Sequence, residues 1–279
     1  MPDTAAWLPE VRSIAAQAGE VLLGLLGRLV PGEIGKKGRI DLVTRADREA
    51  EELVVSRIRE RFPGTAFLAE ERAGAEWRRD GLVWCIDPLD GTTNFVHGFP
   101  VFSVAIALLE DGAPVLAVTH APALGETWWA ARGGGAFRNG ERCAVSGTAS
   151  LEDALLATGF PYQLRELPYD NVENLRALLL GAQGVRRAGA ASLDLAWVAG
   201  GRFDGFWEPY LNPWDVAGGT LLVLEAGGRV TDFAGGPDAI FGRNLVATNG
   251  RVHEAVRARL RPFPGAGGAS AEAGRRPKS

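Results

Sequence analysis

Two carboxylates, Asp87 and Asp90, flank a proline in the run Ile86-Asp87-Pro88-Leu89-Asp90-Gly91-Thr92-Thr93-Asn94-Phe95. The apolar stretch from Val83 to Asp87 leads into it and reads as a short buried strand that ends in an acid. Pro88 fixes φ and limits how the two acids are aimed. Both can then converge on one hard cation, and magnesium prefers carboxylate oxygens in near-octahedral geometry. The carbonyl of Leu89 can add a further oxygen. Gly91-Thr92-Thr93 follows where a helix can begin, and free N–H groups at a helix start, beside a glycine, form a natural phosphate cradle. Metal ligands touching a phosphate cradle describe metal-assisted phosphoryl chemistry. Asp-Pro and Asp-Gly are also common turn formers, and an isolated D-x-x-D is more often a turn than a metal site. The whole ten-residue string is far more specific than that fragment.

Three further acidic clusters look ordinary one by one. Asp41-Leu42-Val43-Thr44-Arg45-Ala46-Asp47 ends a strand-like piece and opens a helix, where Asp47 can serve simply as N-cap. Glu70-Glu71 follows Phe67-Leu68-Ala69 and can be solvated surface. Trp214-Asp215 precedes Val216-Ala217-Gly218-Gly219-Thr220, where Asp215 can be another N-cap. Other reactive residues carry less. His97 reads as ordering the loop after the cradle, and His120 and His253 lack metal-ligand spacing. Cys85 lies in the expected buried strand and reads as core. Trp128-Trp129 reads as strand packing or a subunit interface, and Glu225-Ala226-Gly227-Gly228 as a glycine-capped helix end.

These residues must be held by a mixed α and β chain. Trp7, Leu8, Val11, Ile14, Ala15, Ala18, Leu22, Leu25, Leu26 and Leu29 recur at helical spacing, and a second helix is expected after Asp47. Strands are expected at Val101–Leu109, Val115–Ala121 and Thr127–Ala130, with a tight turn at Asn139-Gly140. The second half predicts helices near 170–180, 191–200 and 215–226, and strands near 154–157, 203–207, 228–232 and 245–248. No internal repeat is present. After Arg261 the chain fills with Gly, Ala, Pro and Ser, so a disordered tail is expected over 263–279.

Composition excludes several classes. The 279 residues carry 30 Lys+Arg against 34 Asp+Glu, a net charge of −4, which argues against a nucleic-acid-binding surface. Two cysteines make neither a disulfide framework nor a zinc site, and a reducing cytoplasm is the default. Met1-Pro2-Asp3 lacks the order of a signal peptide, and the apolar run Val21–Val30 is broken by Gly24, Gly27 and Arg28, so no membrane segment is expected.

In this order the clusters resemble the inositol monophosphatase family of magnesium-dependent, lithium-inhibited phosphatases, and its bacterial branch in particular. The resemblance covers roughly residues 8–260 and rests on DLVTRAD (41–47), FLAEE (67–71), WCIDPLDGTTNFVHGFP (84–100), RRAGAASLDLAWVAGGRFDGFWE (186–208) and WDVAGGTLLVLEAGG (214–228). The third and last are the most specific. It implies a layered αβαβα sandwich, an α+β half over about 1–145 meeting an α/β half over about 146–262 in a single domain, with metals at the junction.

Carried over by motif, Glu70, Asp87 and the Leu89 carbonyl would bind a first Mg²⁺. Asp87, Asp90 and Asp215 would bind a second, with two or three ions per site. Thr92 and Asp47 would position and deprotonate the attacking water, and Glu70 would share in catalysis through its metal. The N–H groups of Gly91 and Thr92 would hold phosphate. Glu208 would accept hydrogen bonds from inositol hydroxyls, and Gly189, Ala190 and Ala191 would line that sugar pocket, with Asp90 and Asp215 also facing substrate. The implied reaction is hydrolysis of inositol monophosphate by direct in-line attack of metal-activated water, in a homodimer with a small phosphate monoester as its partner. Two unit charges 4 Å apart repel by about 4 kcal/mol at an effective dielectric near 20, so converging carboxylates require divalent ions.

Rival readings are another phosphatase of the superfamily, acting on histidinol phosphate, fructose 1,6-bisphosphate or 3′-phosphoadenosine 5′-phosphate, and a regulatory binding protein whose site is idle. The retention of Asp47, Glu70, Asp87, Asp90 and Asp215 argues against an idle site. The family usually has Gly before the paired glutamates where this chain has Ala69, which would cost about 1 kcal/mol if that position needed positive φ. Trp207, Pro209 and Tyr210 around Glu208 are expected to reshape the sugar pocket.

Overall fold

The structure, a computed structural model, describes residues 3–37, 42–71 and 80–264. Asp41 and the expected tail from residue 265 onward lie outside the described residues. In chain order the elements are α1 (Leu8–Leu25), β1 (Ile34–Lys36), β2 (Leu42–Thr44), α2 (Arg45–Arg61), β3 (Ala66–Ala69), β4 (Leu82–Asp90), α3 (Thr92–Val96), β5 (Ser103–Glu110), β6 (Ala113–Ala121), β7 (Glu126–Ala131), β8 (Gly135–Arg138) and β9 (Glu141–Arg142). The second half continues with β10 (Leu155–Thr158), α4 (Val172–Leu179), β11 (Gly184–Arg186), α5 (Ala191–Ala199), β12 (Gly205–Pro209), α6 (Pro213–Glu225), β13 (Arg229–Thr231), β14 (Asn244–Thr248) and α7 (His253–Arg257).

Two main sheets result. The first runs β3-β4-β5-β6-β7-β8-β9, with β3 parallel to β4 and every later pair antiparallel. The second runs β11-β10-β12-β14-β13, with β10 parallel to both neighbours. β1 and β2 form a separate antiparallel pair. Helices α1 and α2 cover one face of the first sheet. Its other face meets α6, which packs along α5, and α5 in turn touches β10, β12 and β14 of the second sheet. Helices α4 and α7 lie against β11 and β14. Helix, sheet, helix, sheet, helix is the layered α+β sandwich that the family resemblance implied.

Sequence patterning explains the layers. Strand β4 is buried on both faces, so successive side chains feed two different cores. Trp84 and Ile86 join Val11, Ile14, Leu22, Val54 and Ile58 beneath α1 and α2. Val83 and Cys85 join Leu193, Leu195, Val216 and Leu221 between the sheets. A third core under α4 and α7 contains Tyr169, Leu178, Trp207, Val246 and Val256. It also takes in Phe263, which stands edge-on to Tyr169 and Tyr210 and is buried although composition placed it in the tail. Helix α1 ends at Leu25 rather than continuing to Leu29, and Gly27 just beyond adopts φ +70°. Leu26 and Leu29 still pack on the core beneath α1, which accounts for their helical spacing. The second helix starts at Arg45, not after Asp47.

His253 is part of this framework. It is fully buried, with Nε2 2.9 Å from Thr231 Oγ1 and Nδ1 3.0 Å from Thr248 Oγ1, and so ties α7 to β13 and β14. Burial, helped by Arg229 and opposed by Glu254, lowers its pKa to about 4. A depressed histidine pKa means the unfolded chain binds a proton that the native state refuses. Stability from this residue is therefore complete above pH ~6.5 and is lost as pH falls toward 4. The difference in unfolding free energy between wild type and His253→Gln, from urea titrations, should hold steady above pH 7 and shrink across that window; a flat difference would refute the assignment.

Candidate functional site

The site forms where β4 runs out. Strand parity carries Asp87 to the same side as Val83 and Cys85, toward α6. Pairing with β5 slips between Asp87 and Asp90, and Pro88, with no N–H to give the ladder, sits inside that irregularity. The Leu89 N–H turns back to Asp87 Oδ1 at 3.0 Å. The chain then reverses at Gly91, whose φ is +95° and where a Cβ would lie 2.8 Å from the carbonyl oxygen of Val101. Both facts require glycine. Helix α3 starts one residue later, with Thr92 at its head.

Asp47 and Asp215 reach the same place by a shared device. Each is the third residue of its helix, and neither is the N-cap. At α2 the N-cap is Thr44, whose N–H and Oγ1 both donate to Asp47 Oδ2 at 2.7 Å. At α6 the N-cap is Asn212, whose N–H donates to Asp215 Oδ2 at 2.7 Å. Such capping boxes fix the carboxylate while engaging only one of its oxygens. For Asp47 the other oxygen, Oδ1, accepts the Thr92 hydroxyl at 2.9 Å, and Thr92 Oγ1 also lies 3.1 Å from the Leu89 carbonyl. Asp47, Thr92, Leu89 and the end of β4 thus form one connected unit.

Asp90 is tied to the opposite side. Its Oδ2 accepts the N–H of Ser192 at 2.7 Å and the Ser192 hydroxyl at 2.6 Å, so the first turn of α5 locks it in place. Ser103 Oγ, 2.7 Å from Ser192 Oγ, backs that contact. Glu70, just past β3, follows Ala69, a strand residue paired with Ile86 whose φ is not positive; alanine there carries no backbone penalty. Lys37 Nζ bonds Glu70 Oε1 at 2.8 Å and also reaches Glu71 Oε1.

Glu208 enters from the second sheet. On β12, Phe206 and Glu208 face α5 and the junction, whereas Trp207 between them points into the third core and donates its indole N–H to Asn171 Oδ1 at 2.9 Å. Trp207 therefore does not shape the pocket, contrary to expectation, because strand alternation turns it away. Pro209 and Tyr210 do line it. Gly159 makes room: a Cβ there would lie 2.1 Å from Glu208 Oε2.

A single cavity of about 250 Å³ joins these groups. Glu70, Asp87, Leu89, Asp90, Gly91, Thr92 and Asp215 form one wall, and Gly189, Ala190, Ala191 and Glu208 another. Asp47 stands behind Thr92. The residues singled out in the sequence are thereby brought together, except Asp41, which lies outside the described residues. Ser192, Asp194, Lys37, Arg187 and Gly159 were not foreseen. Asp194 had one signal, being the lone acid in the apolar run Leu193–Ala199; the others had none without the fold.

The carboxylates disturb one another. Burial first, then the charges of Glu70, Asp90 and Asp215, push Asp87 well above the carboxylate range. Asp215 is raised in the same way by burial and Glu70, against the Asn212 hydrogen bond. Burial lifts Asp90 to about 6 despite the Ser192 bonds, and lifts Glu208 to about 8 against the pull of Arg187. Asp47 is also raised by burial, with the hydroxyls of Thr44 and Thr92 opposing. Among the described residues no three His, Cys, Asp or Glu side chains stand ready-made around a metal position, and Glu70 is partly drawn off by Lys37. The donor set itself fits a hard divalent cation. Its ligands are all oxygens, they are buried or half-buried, and their mutual repulsion is what such a cation relieves.

A layered α+β sandwich with an acidic cavity between its sheets is a definite structural class, and comparison with known proteins gives it a family. The model of the inositol monophosphatase family matches residues 6–263. The Nus factor SuhB of Pseudomonas aeruginosa is 44% identical over 254 residues, covering 89% of this chain and 93% of that protein. The inositol-1-monophosphatase of Mesorhizobium japonicum is 42% identical, covering 87% and 91%. The structure of an inositol monophosphatase from Anabaena superposes with a TM-score of 0.84 at 40% identity, covering 92% and 96%. The chain belongs to the inositol monophosphatase family.

The turn at Gly91 gives a test of the site's framework. Gly91→Ala combines a left-handed φ with a backbone collision and should lose 2 kcal/mol or more of unfolding free energy, by the order of magnitude for strained backbone. Gly98 also has a left-handed φ, +68°, but a Cβ there would meet nothing within 4 Å. Gly98→Ala should therefore lose only about 1 kcal/mol. Equal losses would mean the Val101 contact does not matter.

Proposed function

We propose that the protein is a Mg²⁺-dependent phosphatase that hydrolyses inositol monophosphate to inositol and phosphate. The observation that carries this reading is the opposition, across one cavity, of the Glu70, Asp87, Asp90 and Asp215 carboxylates and the Asp47–Thr92 pair to Glu208. Glu70, Asp87 and the Leu89 carbonyl would hold one ion; Asp87, Asp90 and Asp215 would hold a second, and a third is compatible with the charge. Bound ions would supply Lewis-acid polarisation of the phosphoryl group and a water acidified toward neutral pH.

The chain's own groups do the rest. Thr92 Oγ1 donates to Asp47 Oδ1, which leaves its lone pairs to accept a proton from the attacking water. That proton can pass through Thr92 Oγ1 to Asp47 Oδ1, whose raised affinity for protons suits a base. The N–H groups of Gly91 and Thr92 cradle the phosphate. Glu208 accepts hydroxyls of the departing alcohol, beside the backbone of Gly189, Ala190 and Ala191. No nucleophilic side chain is needed. A homodimer in the reducing cytoplasm completes the reading, and light scattering tests the dimer.

One relative's name, Nus factor, favours a second reading, in which the chain works by binding other proteins and the site is idle. An idle site has no reason to keep five buried or half-buried acids in repulsion, so the enzymatic reading is preferred. The direct test is phosphate release from inositol 1-phosphate, histidinol phosphate, fructose 1,6-bisphosphate and 3′-phosphoadenosine 5′-phosphate. The expected result is preference for inositol 1-phosphate, dependence on Mg²⁺, and loss on adding EDTA or Li⁺. Preference for another ester keeps the chemistry and changes the substrate; no turnover by folded protein supports the binding reading.

A thermal readout is independent of turnover. Mg²⁺ at 100 times its Kd should stabilise the wild type by about 2.7 kcal/mol. Asp90→Asn should melt higher than wild type in EDTA, because one repelling charge is gone, yet gain much less from Mg²⁺ and release no phosphate. Equal Mg²⁺ gains in the two proteins would remove Asp90 from the ion site.

A further inference from the structure

Asp194 is buried to 1% exposure in the wall of the cavity, and its Oδ1 has no hydrogen-bond partner among the described residues. It is the only charged residue of α5, whose neighbours Leu193, Leu195, Ala196 and Val198 all build the core between the sheets. Packing alone would be served better by an apolar side chain there, since a buried polar group left unpaired is strongly unfavourable. Its charged surroundings are Glu208 and Asp90, which repel it, and Arg187, which partly compensates. A buried carboxyl oxygen kept without a partner, on a residue that lines the cavity, calls for an explanation from what enters the cavity.

The same surroundings define the chemistry that fits. Asp194 and Glu208 put two carboxyl groups into the lining of this end of the cavity. Arg187 already offsets charge on both acids, so an additional cation is not required. Hydroxyls remain: they donate to carboxyl oxygens without bringing charge, and a polyol brings several. Two acceptors lining one cavity match two hydroxyls of one alcohol.

We propose that Asp194 is a specificity-determining residue which, together with Glu208, takes two hydroxyls of a neutral polyol. This rests on the phosphatase reading above. It assigns Asp194 no part in the phosphoryl chemistry.

The experiment compares wild type, Asp194→Ala and Asp194→Asn on inositol 1-phosphate, fructose 1,6-bisphosphate and p-nitrophenyl phosphate, which has no polyol. Asp194→Ala should raise KM for inositol 1-phosphate on the order of tenfold, the scale of one lost polar contact. Its kcat, and its kcat/KM on p-nitrophenyl phosphate, should stay near wild type. Asp194→Asn keeps an acceptor oxygen and should recover most of the KM. Neither should melt below wild type, because each removes a buried carboxyl with an unpartnered oxygen.

Equal losses on inositol 1-phosphate and p-nitrophenyl phosphate, or lowered melting with unchanged substrate preference, would overturn the proposal and make Asp194 structural. Wild-type turnover of p-nitrophenyl phosphate with none of inositol 1-phosphate would overturn it too. Wild type that releases phosphate from none of the three esters fails the phosphatase reading itself, a distinguishable result.

Discussion

Repulsion among buried carboxylates governs this structure. Burial raises the pKa of Asp87, Asp90 and Asp215, Glu70 adds to all three, and Asp90 acts further on Asp87 and Asp215. Two unit charges 4 Å apart repel by about 4 kcal/mol at an effective dielectric near 20, which sets the scale of the penalty. Acids so placed would swing apart unless something rigid held them. The holding groups are backbone N–H donors at element ends: Leu89 for Asp87, Ser192 for Asp90, Asn212 for Asp215 and Thr44 for Asp47. Backbone donors cannot rotate away as side chains can, so the charge cluster is as rigid as the sandwich around it.

The repeated capping box shows how one residue serves folding and chemistry together. Asp47 and Asp215 both stand third in their helices, where an acid favours the positive end of the helix and closes on the N-cap N–H. That bond occupies Oδ2 in each case. In α2 the remaining oxygen is already committed to Thr92, which links the first helical layer to the turn after β4. The ordinary reading of these acids as helix caps and the functional reading are therefore not alternatives. The cap is what orients the functional oxygen.

The sequence made the sheet-and-helix alternation and the acidic wall legible because both are written locally. Asp87, Asp90, Gly91 and Thr92 occupy one short run, and strand and helix periods identify β5, β6, α5 and α6 with small errors at their ends. What it hid depends on facing. Trp207 looked like a pocket residue because it adjoins Glu208, yet adjacency on a strand means opposite faces. Ser192 and Gly159 matter only through contacts with Asp90 and Glu208 that are distant in sequence. Phe263 looked like tail because its neighbours are Pro and Gly, while its own ring is held by Tyr169 and Tyr210.

The two walls of the cavity come from different parts of the chain, and this separates chemistry from selectivity. The acidic wall is drawn from the end of β3, β4, α3 and the start of α6, with Asp87, Asp90 and Asp215 held by backbone donors and Glu70 by Lys37. The facing wall comes from β12, the first turn of α5 and the segment 159–163, attached to the second sheet. Asp90 is the one acid that bridges them, through Ser192. Changes on the second wall can alter which alcohol fits without moving the acids, because the capping boxes and the Gly91 turn do not depend on it. The bridge also couples the two: any shift of α5 that reshapes the alcohol pocket pulls on Asp90. Substitutions at Ser192 should thus damage chemistry and selectivity together, whereas Asp194, two residues further along the same helix, can tune selectivity alone.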